Sequence, residues 1–182
     1  MRYAISGTVL QALEIELSNG DSIFTESGGM SWMTDGIEMD TNTRGGLMSG
    51  LGRVLAGESL FMTTYTCTTP TAMITFTPEA PGKVLPLQLA PNQVLIAQKD
   101  AFMCAQTSVK MEMHFRKKLG AGLFGGEGFI LQKLTGPGIV FLEIPGEVKE
   151  YNLGPGQRLK VDPGHIAAMD PTVSYDITSV KG

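Results

Sequence analysis

The sequence predicts an all-β fold, and two observations carry that prediction. Apolar runs of roughly five to eight residues, the length of a strand, are separated at short intervals by the 23 glycines and 10 prolines of the 182-residue chain. A motif of strand, tight turn and returning strand also occurs three times. We therefore expect a single domain, residues 1–182, built from three β repeats over approximately residues 8–70, 80–145 and 146–182.

The apolar runs show two burial patterns. Residues 13–17 and 109–113 alternate apolar and charged side chains, which predicts strands with one face on the core and one in solvent. Residues 72–76 and 138–142 are almost entirely apolar, which is typical of strands buried on both faces. Helical periodicity is acceptable only over residues 47–55, where two glycines weaken it.

The repeat is visible when three segments are aligned directly. Residues 17–23, 89–95 and 153–159 each begin and end on an aliphatic residue and enclose a turn that contains Gly or Asn. A second block, which contains Gly-Glu before an apolar stretch, occurs only at 57–61 and 126–130, so we expect the third repeat to be truncated. Because one such unit is too small to bury its apolar face alone, the copies should share a core.

Composition excludes several classes of protein. A formal net charge of −4 gives no reason to expect nucleic-acid binding, and 42% hydrophobic residues are enough for a core. No window approaches the roughly 18 apolar residues of a membrane span, and the first residues lack a signal sequence, so we expect a cytoplasmic protein. The cysteines, Cys67 and Cys104, lie far apart in apolar runs and are expected to be buried free thiols.

Two glutamates occupy the same position in the block that occurs twice. Glu58 and Glu127 each follow a glycine and precede a small residue. One interpretation is a ligand-binding carboxylate pair at a symmetric site, able to hold a cation or share a proton. The alternative is that each is a loop carboxylate that accepts backbone N–H bonds or pairs with a base such as Arg53.

The one basic cluster comprises Arg116, Lys117 and Lys118, directly after His114 and Phe115. In a ring-shaped oligomer it would recur around the rim and could meet RNA. The acidic net charge and the lack of alternating aromatic residues favour a solvated turn instead, and we expect no nucleic-acid partner.

No catalytic residue, metal site or cofactor is predicted. The histidines, His114 and His165, occupy non-equivalent repeat positions and have no neighbouring Cys or second His. Residues 120–125 match the letters of a dinucleotide-binding loop, but a strand and turn follow them where that motif requires a helix. Ser59 lacks the Gly-x-Ser-x-Gly context of an activated serine.

The Leu-Phe-Gly-Gly-Glu-Gly-Phe segment at 123–129, with Leu-Thr-Gly-Pro-Gly at 134–138, resembles the altered-inheritance-of-mitochondria protein twenty-four family. The resemblance covers essentially the whole chain. It implies a β fold similar to the tryptophan RNA-binding attenuation protein, or TRAP, close to a double-stranded β-helix, with three repeats per chain and a ring-like trimer. The family has no agreed activity, so the resemblance speaks to fold more than to function.

Together these observations predict a non-enzymatic, self-assembling interaction or scaffold protein, a homotrimer that is able to bind a protein partner. The alternative is a small-molecule or metal-ion binding protein that uses clefts between repeats, lined by Glu58 and Glu127. An enzyme ranks third, because no catalytic constellation is recognised.

Overall fold

The structure, a computed structural model, describes residues 1–26, 28–42, 62–117 and 128–178. Within these residues the chain forms β-strands and two 3-10 helices, Lys99–Ala101 and Pro163–His165, with no α-helix. The predicted all-β class is therefore confirmed. The helix considered for residues 47–55 lies outside the described residues.

The strands lie in three antiparallel sheets. In chain order they are β1 (Arg2–Ser6), β2 (Ala12–Ser18), β3 (Ser22–Glu26), β4 (Trp32–Met33), β5 (Ile37–Asn42), β6 (Met62–Cys67), β7 (Thr71–Phe76), β8 (Gly82–Leu89), β9 (Val94–Gln98), β10 (Phe102–Gln106), β11 (Lys110–Lys117), β12 (Phe129–Thr135), β13 (Gly138–Pro145) and β14 (Ala168–Met169). The first sheet has the order β1-β2-β7-β4. The central sheet has the order β5-β6-β3-β10-β13-β8, and the third has the order β11-β12-β9-β14.

The central sheet supplies side chains to two apolar clusters. One cluster joins it to the first sheet, with Leu13, Ile15, Leu17, Ile74 and Phe76 packed against Ile23, Cys104 and Phe141. The other joins it to the third sheet, with Phe24, Phe102, Val140 and Leu142 packed against Ala97 and Leu134. The central sheet is therefore covered on both faces, which requires apolar side chains at successive positions of its inner strands.

A third cluster lies on the third sheet and involves the C-terminal part of the chain. Its buried members are Ile96, Phe129 and Leu131, and the half-buried side chains packed against it include Phe115, Ile166, Met169, Tyr175 and Ile177. Residues 166–177 thus cover apolar side chains of a sheet that is built mainly from residues 94–135.

The burial of individual strands agrees with most of the sequence patterns. Along β2, Leu13, Ile15 and Leu17 are buried while the glutamates between them are only half-buried, as the alternation predicts. Strand β13 is buried at five successive positions, as its uninterrupted apolar run predicts. The pattern at 109–113 is weaker, because Met113 is exposed. Cys67 and Cys104 are buried free thiols, as predicted.

Three turns with the same hydrogen bonds lie at the aligned positions of the chain. Gly20, Asn92 and Gly156 have positive φ angles of 85°, 63° and 76°, a conformation that favours glycine or asparagine. In each turn the next residue's side chain accepts a bond from a backbone N–H three positions earlier. These bonds are Ser18 to Asp21 Oδ2, Ala90 to Gln93 Oε1 and Gly154 to Gln157 Oε1.

Strand pairing also follows a common pattern in two sets of six strands, which we name the first unit (β2–β7) and the second unit (β8–β13). Strand β2 pairs with β7 as β8 pairs with β13, and β3 pairs with β6 as β9 pairs with β12. Strand β10 crosses to pair with β3 of the first unit, as β14 pairs with β9 of the second. The third unit is then residues 146–178. The three-repeat, TRAP-like organisation stays a prediction, and nothing in this pairing conflicts with it.

We expect Phe141→Ala to destabilise the fold by about 3–5 kcal/mol, because the ring is fully buried between the first and central sheets and its removal leaves a cavity. Urea denaturation followed by tryptophan fluorescence measures the change. Val9→Ala, which truncates an exposed side chain outside the strands, is the control and should change the free energy of unfolding little. Equal losses in the two variants would contradict the described core.

Candidate functional site

The residues singled out in the sequence are only partly described. Glu58 and Glu127 lie outside the described residues, as does Lys118. Arg116 and Lys117 lie at the end of β11, where their backbones pair with β12. The carboxylate pair and the basic cluster therefore stay predictions.

In the described part of the chain, no group of three or more His, Cys, Asp or Glu side chains is placed to hold a metal ion, and neither histidine belongs to such a group. The His114 ring lies 6.2 Å from the Tyr175 ring, centroid to centroid. His165 Nδ1 lies 3.6 Å from Asp162 Oδ1 on an exposed 3-10 turn. Both histidines are exposed at the surface.

Five polar residues meet where the end of β3 approaches the second unit, and we name them the Glu26 cluster. Lys99 Nζ lies 3.6 Å from Glu26 Oε2 and 4.0 Å from Asp100 Oδ1. Gln98 Nε2 donates to Asp100 Oδ2 at 2.9 Å, and Gln98 Oε1 accepts from the N–H of Ala101, the last residue of the 3-10 helix, so Gln98 caps the N-terminus of that helix. This cap places Lys99 opposite the end of β3.

The fifth member of the Glu26 cluster is Gln132, which is fully buried in β12. Its Nε2 donates to Glu26 Oε1 at 3.4 Å, and its Oε1 has no hydrogen-bond partner among the described residues. Burial raises the pKa of Glu26, and the positive charge of Lys99 opposes that rise. The cluster is therefore a half-buried ion pair that links the first unit to the second, where it can help to fix their relative position.

A second half-buried carboxyl lies on β13. Burial raises the pKa of Glu143 to about 7; a hydrogen bond from the Glu79 backbone opposes the rise, while the negative charges of Glu79, Asp100 and Glu26 add to it. The nearby thiol of Cys104 is fully buried, and burial, with the Glu143 charge, raises the pKa of that thiol well above its ordinary value. A thiol that stays protonated is a poor nucleophile, so this pair does not form a thiolate site.

One cleft lies where the second and third units begin. It has a volume of about 230 Å³ and is lined by Thr8, Val9, Pro81, Gly82, Lys83, Gly146 and Glu147. Lys83 Nζ lies 3.5 Å from Glu147 Oε1, so these two charged groups of the cleft neutralise each other. Sites for drug-sized ligands usually enclose about 300–1,000 Å³, so this cleft is smaller than most.

Neither half-buried carboxyl, Glu26 or Glu143, was predicted from the sequence. The partners of Glu26 lie 73 and 106 positions away, a distance that no local motif spans. For Glu143 the sequence did contain a signal of a functional or buried charge, because it is a single charge inside an otherwise apolar strand.

No helix in the described residues is long and apolar enough to cross a membrane.

Comparison with known proteins identifies the family. The profile described as Mitochondrial biogenesis AIM24 matches residues 3–182. The chain belongs to this family. The resemblance inferred from the glycine-rich segments is thereby confirmed.

Two relatives of this AIM24 family member come from Streptococcus pyogenes. An uncharacterized protein of the serotype M6 strain is 28% identical over 192 residues, which cover 100% of this chain and 75% of that protein. The crystal structure of a protein described as SPYM3_0169 is similar with a TM-score of 0.62 and 25% sequence identity. That match covers 80% of this chain and 65% of the solved chain, so the chain spans less than two thirds of the solved protein's length. Neither description names an activity.

In this AIM24 family member, Glu143→Gln should reduce the dependence of stability on pH. Folded Glu143 keeps its proton up to about pH 7, whereas an unfolded glutamate releases it near pH 4.5, so wild-type stability should fall as pH rises between these values. The variant should lose that part of the slope and be more stable at pH 8 by about 1 kcal/mol, a discounted figure because the carboxyl is partly exposed. Urea denaturation from pH 4 to 8, in steps of about one unit, measures it. Glu150→Gln, at an exposed carboxylate, is the control, and identical slopes in all three proteins would refute the assignment.

Breaking the Glu26–Lys99 pair should be costly at neutral pH. Lys99→Met leaves the half-buried Glu26 without its cation, and we expect a loss of about 1–2 kcal/mol at pH 7. Because burial favours the protonated Glu26, the loss should shrink as pH falls through its raised pKa. A double-mutant cycle with Glu26→Gln measures the coupling. Lys83→Met, which removes a more exposed pair, is the control; a coupling no larger than experimental error would contradict the cluster.

Proposed function

We propose that this family member is a non-enzymatic, self-assembling interaction protein that forms a trimer through the edges of its sheets. One observation carries the proposal. In the described residues all three sheets are open, and four of their six edge strands present a large exposed apolar side chain.

These four side chains lie on edge strands of all three sheets. Tyr3 lies on β1 and Trp32 on β4, at the two edges of the first sheet; Met39 lies on β5 of the central sheet, and Met113 on β11 of the third. Trp32 is 49% and Met39 is 55% exposed. An open edge has unpaired backbone N–H and C=O groups, which monomeric proteins usually protect with charged residues or proline; β5 and β11 carry such charges, whereas β4 carries none. Aromatic residues and methionine are instead enriched in protein interfaces.

The trimer and the three-repeat organisation belong to this proposal. The common hydrogen bonds of the three turns and the common pairing of the two six-strand units support the repeats. The family resemblance supports the trimer. We also place the protein in a reducing compartment, the cytoplasm, which the two free cysteines support.

The second candidate is a small-molecule or metal-ion binding protein. Its predicted ligands, Glu58 and Glu127, lie outside the described residues, and the cleft at the start of the second and third units is small. The geometry therefore supports the interaction protein better. The same experiment separates the two candidates.

Native mass spectrometry of the purified chain, over a dilution series, should show a trimer without additional mass. Trp32→Arg places a charge on the β4 edge and should raise the dissociation constant about tenfold. Val9→Arg makes the same kind of change at an exposed apolar residue outside the strands and is the control.

Two other results would contradict the proposal. A monomer at every concentration would exclude self-assembly. Stoichiometric extra mass that disappears in the variant Glu58→Gln, Glu127→Gln would favour the binding protein instead.

A further inference from the structure

A row of side chains crosses all the strands of the first sheet on its outer face, the face that points away from the central sheet. Ala4 of β1 is paired with Glu14 of β2. Glu14 is paired in turn with Thr75 of β7, and Thr75 with Trp32 of β4. Directly opposed residues of an antiparallel pair point to the same face. The residues before and after Glu14 and Thr75 belong to the core on the other face, so this row faces outward.

Thr75 is the buried member of this row, and its hydroxyl has no partner. The residue is 0% exposed, and Oγ1 has no hydrogen-bond partner among the described residues. Its two neighbours in the row, Glu14 and Trp32, are both larger and flank it on either side. A buried hydroxyl without a hydrogen bond destabilises the folded state, and valine has nearly the same shape without that cost. Threonine at this position therefore points to a hydrogen-bonding group that comes from outside the chain.

The two residues that flank Thr75 both favour a cation. Glu14 is half-buried and has no ion pair or side-chain hydrogen bond with another described residue. The next glutamate on this face, Glu16, is instead held by Arg2, whose Nη2 lies 2.6 Å from Glu16 Oε1. Trp32, on the other side of Thr75, is exposed. A carboxylate without a counter-ion and an open indole ring each attract positive charge.

The spacing of the row selects the kind of cation. Neighbouring strands lie about 4.8 Å apart, so the backbones at Glu14 and Trp32 are separated by about 10 Å across β7. A guanidinium group suits this spacing, because it is planar and carries N–H donors along its edges. Its face can stack on the indole while its N–H groups donate to the Glu14 carboxylate and to Thr75 Oγ1. An ammonium group is a compact charge without a flat face, so it matches the row less well.

We propose that Glu14, Thr75 and Trp32 form a binding site for an arginine side chain of a protein partner. The inference names the chemistry of the partner for the interaction role proposed above and rests on that role, but not on the trimer. The row lies on a sheet face with Trp32 exposed, so it does not enclose a ligand as sites for free small molecules usually do. The β4 edge stays available for assembly, because strand pairing uses backbone groups in the plane of the sheet.

The probe for this site is the peptide Gly-Gly-Arg-Gly-Gly, blocked at both ends and titrated into the isotope-labelled full chain. Trp32 is the single tryptophan of the chain, so its indole N–H gives one NMR signal that reports on the site. We expect this signal to shift with a dissociation constant on the order of 1 mM, as for the contact of one side chain. The same peptide with citrulline, which has the shape of arginine without its charge, should not shift the signal. A lysine peptide should bind about threefold more weakly.

Variants of the row test each contact. Glu14→Gln keeps the size of the side chain and removes its charge, so it should weaken binding about tenfold. Glu150→Gln, at an exposed carboxylate outside the sheet, is the matched control and should bind like wild type. Thr75→Val separates a binding role from a structural one. Its urea midpoint should rise, because an unpaired hydroxyl is lost, while its affinity for the peptide should fall about threefold.

Five outcomes would overturn the proposal. Three are equal shifts with the arginine and citrulline peptides, wild-type affinity in Glu14→Gln, and wild-type affinity in Thr75→Val. The fourth is tighter binding of free arginine than of the peptide, which would indicate a small-molecule site. The fifth, read by native mass spectrometry, is dissociation of the trimer by the peptide, which would assign the site to an arginine of a second copy. A trimer that binds no peptide contradicts only this inference, whereas a monomer that binds the peptide contradicts only the trimer.

Discussion

The burial of the central sheet on both faces is the constraint on which the rest of the fold depends. An inner strand of this sheet, such as β13, has no solvent side, so each of its side chains must be apolar, small or hydrogen-bonded. Strand β13 meets the requirement with Ile139 and Phe141 toward the first sheet and Val140 and Leu142 toward the third. Strands of the flanking sheets can then alternate buried and half-buried side chains, as β2 does, because each flanking sheet packs on the central sheet with one face only.

The same constraint explains why the two half-buried carboxyl groups, those of Glu26 and Glu143, lie near strand ends. Glu26 is the last residue of β3, and Glu143 lies near the end of β13, where partial exposure limits the cost of desolvation. Lys99 reaches Glu26 from the 3-10 helix that follows β9, so charge compensation comes from the next unit and not from the same sheet. The packing of successive units therefore has a polar component as well as an apolar one.

Much of the fold could be predicted because its signals are local. The alternation of residues 13–17 and the Asn-Gly turn at 19–20 depend on period and backbone conformation, which neighbouring residues determine. The layering of the sheets could not be predicted, because β10 reaches back to β3 and no short-range pattern records that pairing. The Glu26 cluster was missed for the same reason. Glu58 and Glu127 were identified from their repetition alone, which indicates equivalent backbone positions but not what surrounds them.

The pairing of β10 with β3 also has a consequence for synthesis on the ribosome. Phe24 and Ile23 lie in β3, whose neighbour on one side, β10, emerges about eighty residues later. At ordinary rates of translation that interval is several seconds, during which one edge of an apolar strand has no partner. The nascent chain therefore carries an aggregation-prone edge while about eighty further residues are added. The order in which the sheets form therefore depends on when each strand leaves the exit tunnel as well as on the strength of its contacts.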